Sequence, residues 1–344
     1  MSKADPVLIA GAVASLDDFP VALAWTPDGA AVIVGGGEGG IYRMAATDGA
    51  VQRIGDHAPG VLQLAWQPKG SLLATAGQDG AVRLWQGIDA GSAVTSQLVH
   101  RAARWPAGLG WRSDGQQLAF ASGKDVLVYD AAGTLVRELG GHSCTLSHLL
   151  WRGRNELVAA GNGALFVDRT DTGEVAQFAL EGTPLTLALG TDLKVAANGL
   201  ADGTINFRYV NNRKRSRMSG YEGKVEQTAW SANSRYLATA SSGASSIVVW
   251  DFGSKGPEGS DPLQLNAHEE RIESLAWQPS GPLLASAGRD WRVVLWRPAP
   301  NSCRALDIQL LDGPAGTMCW SPDGSRLAVA QPSGHTRIFS LQAA

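Results

Sequence analysis

The chain has 344 residues, of which 44% are hydrophobic and only 18% charged, with 42 glycines and 12 tryptophans. Its 29 basic and 32 acidic residues sum to −3, which lacks the basic excess that general nucleic-acid or anionic-membrane binding requires. Three cysteines with no close pairing argue against a disulfide framework, and no apolar run is long enough for a membrane-crossing helix, so a cytoplasmic monomer is expected.

Residues 7–14, VLIAGAVA, read as one β-strand. Ala12-Val13-Ala14 imitates a signal-peptide cleavage site, but the apolar run is short and Asp5 stands where a basic segment belongs. From Pro20 onward one unit recurs. An apolar run ends at an anchor, a Pro/Asp/Gly turn follows, and then come a second apolar run, a Gly-rich turn, an alternating run and a looser polar segment. This grammar predicts four short antiparallel strands per unit. The anchors are Trp25, Trp66, Trp111, Trp151, Leu189, Trp230, Trp277 and Trp320, at steps of 38 to 47 residues.

In the first unit GGGEGG, 35–40, fits G-x-G-x-x-G, but the strand IYRMA follows and no helix N-terminus is offered to a pyrophosphate. The second unit carries LLATAGQDGAVRLW, 72–85. The third is approached by Arg104 and Trp105 in a segment two residues longer than standard. Ahead of the fourth, GGHSCT (140–145) resembles a nucleophile elbow around Ser143, yet Thr145 replaces the second glycine and no strand-to-helix turn surrounds it. His142, Cys144 and His148, with His100 one unit earlier, are the candidate metal ligands. Against them, His142 fits a histidine position of the repeat, and His148 lies where other units place Gln63, Gln227 or Ser274. No metal and no cofactor is expected.

The fifth unit has Leu189 in place of tryptophan. Asp202 follows it by thirteen residues, as Asp79 follows Trp66 and Asp290 follows Trp277. Its last strand holds Arg213, Lys214, Arg215 and Arg217, a charged edge that discourages strand pairing. The sixth ends in Trp250-Asp251 and a polar loop, 251–262, expected to be disordered. The seventh carries LLASAGRDWRVVLW, 283–296. The eighth ends in HTRIFSLQAA, with room for three strands. Cys319 fills the small-residue slot before its anchor, as Ala24, Ala65, Ala229 and Ala276 do elsewhere.

Two units match residue for residue at an offset of 211: His57, Thr75, Asp79 and Trp85, then His268, Ser286, Asp290 and Trp296. On these residues and the period, the chain resembles the WD-repeat β-propeller family over essentially its whole length. The resemblance implies that each quartet is a hydrogen-bond chain from Trp through Ser/Thr and His to Asp. The fold expected is all-β, a single eight-bladed WD-repeat β-propeller of four-stranded antiparallel blades, one domain over 1–344. Residues 7–14 would complete the last blade; seven blades is the alternative if Leu189 is discarded. Met44, Tyr129, Arg208 and Phe339 replace the third-strand tryptophan, and Tyr221 replaces the histidine of the sixth unit. The first, third, fourth, fifth and eighth blades are therefore expected to rely mostly on apolar packing.

The resemblance implies a non-catalytic scaffold that binds a partner protein or peptide on the propeller's top face. Trp291 stands where the twin turn has Gly80. The same reading places Arg271, Glu273 and Arg289 around it, with Lys224 and Glu226 from the sixth blade, and Trp105 and Arg104 across the ring. Exposed tryptophan among arginines is the composition of a binding hot spot. In the bland alternative Trp291 lies flat over a neighbouring loop. A small-molecule or metal-binding propeller with its site at the central channel, possibly an enzyme, is the alternative function.

Overall fold

The recurring apolar runs become strands in a computed structural model that describes residues 5–88, 93–211, 214–253, 256–300 and 302–342. Eight four-stranded antiparallel sheets result, and all eight anchors lie in first strands. Eight blades, not seven, are present, and Leu189 anchors the fifth in a two-residue strand, Ala188–Leu189. By contacts the chain divides into two units. One, Asp18–Ala46 with Ala50–Leu187, holds blades 1–4; the other, Met1–Asp17, Thr47–Gly49 and Ala188–Ala344, holds blades 5–8.

Within blades 1–4 the second strand is the most buried element. Leu73–Gly77 of blade 2 is buried at every position. Leu73 pairs with Trp66 on one side and Trp85 on the other. Ala74 and Ala76, with Val82 and Leu84, pack against Trp111, Leu118 and Phe120 of blade 3. A strand covered on both faces has room for alanine, which explains runs such as LATA. In blades 5–8 the strand Leu284–Gly288 repeats the pattern.

The anchors also join blades. Trp111, Trp151, Trp230, Trp277 and Trp320 each donate the indole N–H to a carbonyl of the preceding blade, at Ala65, Gly110, Ala188, Ala229 and Ala276, over 2.9–3.3 Å. The acceptor is in every case the residue just before that blade's own anchor. Leu189 has no indole to donate, and the Trp66 indole N–H is buried without a partner.

Residues 7–15 complete blade 8. Val7–Ser15 pairs antiparallel with His335–Gln342, giving a four-stranded sheet with Arg326–Ala330 and Met318–Trp320. Leu8 is 1% exposed, inside a core built from blades 7 and 8. Its backbone N–H donates to Asp307 of blade 7 at 2.7 Å, and Asp5 is paired with Arg304.

Both intact quartets are drawn in hydrogen bonds. In blade 2, Trp85 donates to Thr75 Oγ1 at 2.8 Å, Thr75 meets His57 Nε2 at 2.6 Å, and His57 Nδ1 meets Asp79 at 2.9 Å. In blade 7 the distances are 2.8 Å from Trp296 to Ser286, 2.7 Å from Ser286 to His268 and 3.0 Å from His268 to Asp290. Because the hydroxyl already accepts the indole proton, it donates its own to Nε2, and the neutral imidazole donates from Nδ1 to the carboxylate. Burial, the largest cause, pushes His57 and His268 below the usual histidine range despite the aspartates.

Blade 4 has the expected apolar packing, with Leu146, Leu149, Leu157 and Phe166 in one buried core, and adds to it a buried polar pair. Asp168 stands at the register position of the third-strand tryptophan, opposite Leu157, and lies 3.0 Å from His142 Nε2, both side chains fully buried. His142 Nδ1 faces the Lys124 carbonyl at 2.7 Å. Both partners are pure acceptors, so this imidazole donates twice and is an imidazolium. Burial pushes its pKa down, but the hydrogen bond and charge of Asp168 outweigh it and the net shift is upward. In blade 1 the carboxylate of Asp18 accepts the N–H groups of Glu38 and Gly40, a polar staple absent from the expectation. In blade 6 the Trp250 indole donates to the Tyr221 hydroxyl at 2.7 Å, which meets Thr239 at 2.8 Å, so tyrosine replaces histidine within the network.

Of the loop 251–262 after blade 6's third strand, residues 254 and 255 lie outside the described residues. Glu258 lies 3.3 Å from Lys214 and accepts from the Tyr209 hydroxyl of blade 5; burial first, and the Glu258 charge second, push Tyr209 up to about 12. On the basic edge two cations are thus paired, Lys214 with Glu258 and Arg217 with Asp202 at 2.6 Å; Arg213 lies outside the described residues.

Candidate functional site

Trp291 has φ +65°, the left-handed region that favours glycine, and its twin Gly80 has φ +72°. A Cβ on Gly80 would lie 1.8 Å from the Ala102 carbonyl oxygen, so that turn excludes any side chain. In blade 7 the turn keeps the matching backbone bond, Leu311 N–H to the Trp291 carbonyl at 2.8 Å. It nevertheless carries an indole that is 51% exposed. Asp290 fixes its direction. That carboxylate is buried and accepts from His268, Glu269 N–H and Arg292 N–H, which anchors one side of the turn inward.

The charged residues around it form a chain of ion pairs. Arg271 lies 2.7 Å from Glu226 of blade 6 and 3.3 Å from Glu273, Arg289 closes on Glu273, and Arg292 closes on Glu269. Arg271, Glu273, Arg289 and Glu226 are thus brought together. Lys224 begins the same first-strand approach in blade 6, where its backbone N–H is held by Ser242. The arginines are not free to recruit a carboxylate, as the hot-spot composition alone suggested. Leu310, 68% exposed, pairs opposite Arg292 and adds apolar surface that the sequence reading missed. Alternation along the fourth strand could have flagged it.

Arg104 and Trp105 belong to the other unit. Trp105 is 60% exposed, and the Arg104 side chain approaches Gly123 beside the exposed Lys124. The metal candidates do not converge. Both ring nitrogens of His142 have partners, His100 Nδ1 meets the Tyr129 hydroxyl at 3.2 Å, and His148 is held by the Pro184 backbone. Burial is the first cause that pushes the Cys144 thiol up and His100 and His148 down. Among the described residues no three His, Cys, Asp or Glu side chains cluster to hold a metal ion. The GGGEGG segment runs from strand Ala31–Gly36 into strand Gly40–Ala45, and Ser143 precedes strand Leu146–Arg152. Neither has the helix its motif requires.

The family model described as "WD domain, G-beta repeat" matches residues 50–86, 212–251 and 259–297. THO complex subunit 3 of Arabidopsis thaliana is 26% identical over 144 residues, 42% of this chain and 44% of that protein. B-type cell cycle switch protein ccs52B of Medicago truncatula is 24% identical over 276 residues, 76% of this chain and 54% of that protein. The chain thus spans about half the length of these relatives. Among solved structures, the computationally designed Ika8 protein matches with TM-score 0.75 at 19% identity, covering 98% of this chain and 99% of that one. A chain of the Mitotic Checkpoint Complex matches with TM-score 0.64 at 20% identity, covering 80% and 86%. At these identities the structures speak for the fold alone. The matched repeats, two complete His–Ser/Thr–Trp–Asp networks and eight four-stranded blades support a WD-repeat β-propeller.

Proposed function

We propose that this chain is a non-catalytic docking platform that binds a partner protein or peptide at the end of blades 6 and 7 where the second-to-third-strand turns lie. The observation that carries the reading is Trp291. A large aromatic occupies a left-handed turn position at a local backbone cost of about 1–2 kcal/mol, and half of it faces solvent. Folding gains little from such a residue, whereas an exposed tryptophan beside arginines is what protein interfaces concentrate. Similarity to proteins named as a THO complex subunit and a cell cycle switch protein supports a role in assembly. Of the residues that resembled catalytic or metal sites, His142 serves as an internal staple through Asp168 and the Lys124 carbonyl.

The test is Trp291→Gly, which copies the twin turn. Partners captured from the native host by the wild-type chain should be lost with this variant while its melting temperature stays the same. Undiminished capture would place the docking surface elsewhere, and early unfolding would make Trp291 part of the scaffold.

A further inference from the structure

The charge balance around Trp291 identifies the kind of partner. Each blade 7 guanidinium of this network is already held: Arg271 by Glu226 and Glu273, Arg289 by Glu273, and Arg292 by Glu269. With Asp290 and Glu270 counted, this network holds five carboxylates against three guanidiniums. His268 is pushed down by burial and adds no positive charge at neutral pH. Glu270 has no ion-pair or hydrogen-bond partner among the described residues, although its charge is felt by Arg289.

The surplus is local. Beside Trp105 the balance is reversed, with Arg101 on Asp79 at 3.3 Å and with Arg104 and Lys124 making no ion pair among the described residues. An arriving carboxylate at Trp291 would have to displace an existing pair and would meet the surplus negative charge. An arriving ammonium or guanidinium meets the unpaired carboxylate of Glu270, the exposed carboxylate of Glu269 that also holds Arg292, and an indole face, the aromatic surface that binds cations best.

We propose that the Trp291 surface binds a cationic peptide segment, its lysine or arginine side chains held by the indole face and the carboxylates of Glu269 and Glu270, with Leu310 receiving a flanking apolar side chain. This inference rests on the docking reading above and adds the sign of the partner. Electrostatic complementarity of this kind sets specificity and association rate more than affinity.

A random dodecapeptide display library selected on the full chain, with Trp291→Gly in counter-selection, tests it. The expected binders depend on Trp291, carry a surplus of Lys and Arg, and weaken as salt shortens the Debye length to ~3 Å at 1 M. Glu269→Gln/Glu270→Gln should weaken the same peptides about tenfold, chiefly through slower association. Trp291-dependent binders of neutral or acidic composition would overturn the charge assignment and leave the docking reading intact. Absence of any Trp291-dependent binder would overturn both. Peptides unaffected by Glu269→Gln/Glu270→Gln would overturn the role of those carboxylates.

Discussion

Trp291 at φ +65° and Gly80 at φ +72° occupy the same turn of two nearly identical hairpins. Glycine removes the left-handed penalty on Trp291, about 1–2 kcal/mol, but widens the unfolded ensemble by roughly 0.5–1 kcal/mol. Thermal denaturation of Trp291→Gly should therefore show a midpoint equal to or slightly above that of the wild type. Asp290 behaves differently, because its loss leaves the His268 ring, Glu269 N–H and Arg292 N–H short of an acceptor. Asp290→Ala and Asp79→Ala should each cost about 1–3 kcal/mol in denaturant titration, whereas Lys124→Ala, which removes one exposed amine contact, should stay within ~0.5 kcal/mol. Equal losses at all three positions would contradict the networks as drawn.

At the scale of the element, the N-terminal strand and the anchor indoles do the joining. The strand Val7–Ser15 puts Leu8 into the core of blades 7 and 8 and its backbone on Asp307. Deleting residues 1–15 should expose the edge of His335–Gln342 and produce aggregation or a large drop in melting temperature. Leu8→Ala alone should cost about 2–5 kcal/mol; a truncated chain that melts like the full one would contradict this closure. Trp277→Phe keeps an aromatic ring but removes the donor to the Ala229 carbonyl. It should cost about 1–3 kcal/mol, and Trp66→Phe should cost less because its N–H has no partner to lose.

Across the whole molecule, buried histidines of opposite charge state give stability two opposing pH dependences. His57 and His268 are depressed below 6.5. As pH falls below that value the unfolded chain takes up protons that the folded quartets refuse, and stability declines. His142 is raised above 6.5. Its contribution is fully present below the unfolded value and is lost as pH rises through the folded one. Asp168→Asn should therefore destabilise most near pH ~6, and the gap to wild type should narrow toward pH ~9. Breaking so buried a pair costs about 3–5 kcal/mol. A gap that widens with pH would mean that His142 is neutral.

The number of blades, the strand order and the role of residues 7–14 were legible because each is a one-dimensional pattern. Anchor spacing, alternation and a missing fourth strand all follow from hydrophobic burial along the chain. The paired quartets were legible too, since four residues at a fixed offset recurred together. What only the tertiary structure decided concerns partners far apart in sequence. Asp168 sits in a tryptophan's place with no local signal, yet lies against His142 because two strands align them. Five anchor indoles each meet a carbonyl 41–48 residues earlier, and Glu258 pairs with Lys214 of another blade. The arginines near Trp291 looked like open contacts in the sequence. Folding of blade 7 against blade 6 gave each one a carboxylate, Arg271 from the neighbouring blade and Arg289 and Arg292 from their own, and left the surplus charge negative. Hydrophobic periodicity determines which residues enter the blades, but a charge's sign at the surface depends on which opposite charge lies within a few ångströms, and only the folded chain sets that distance.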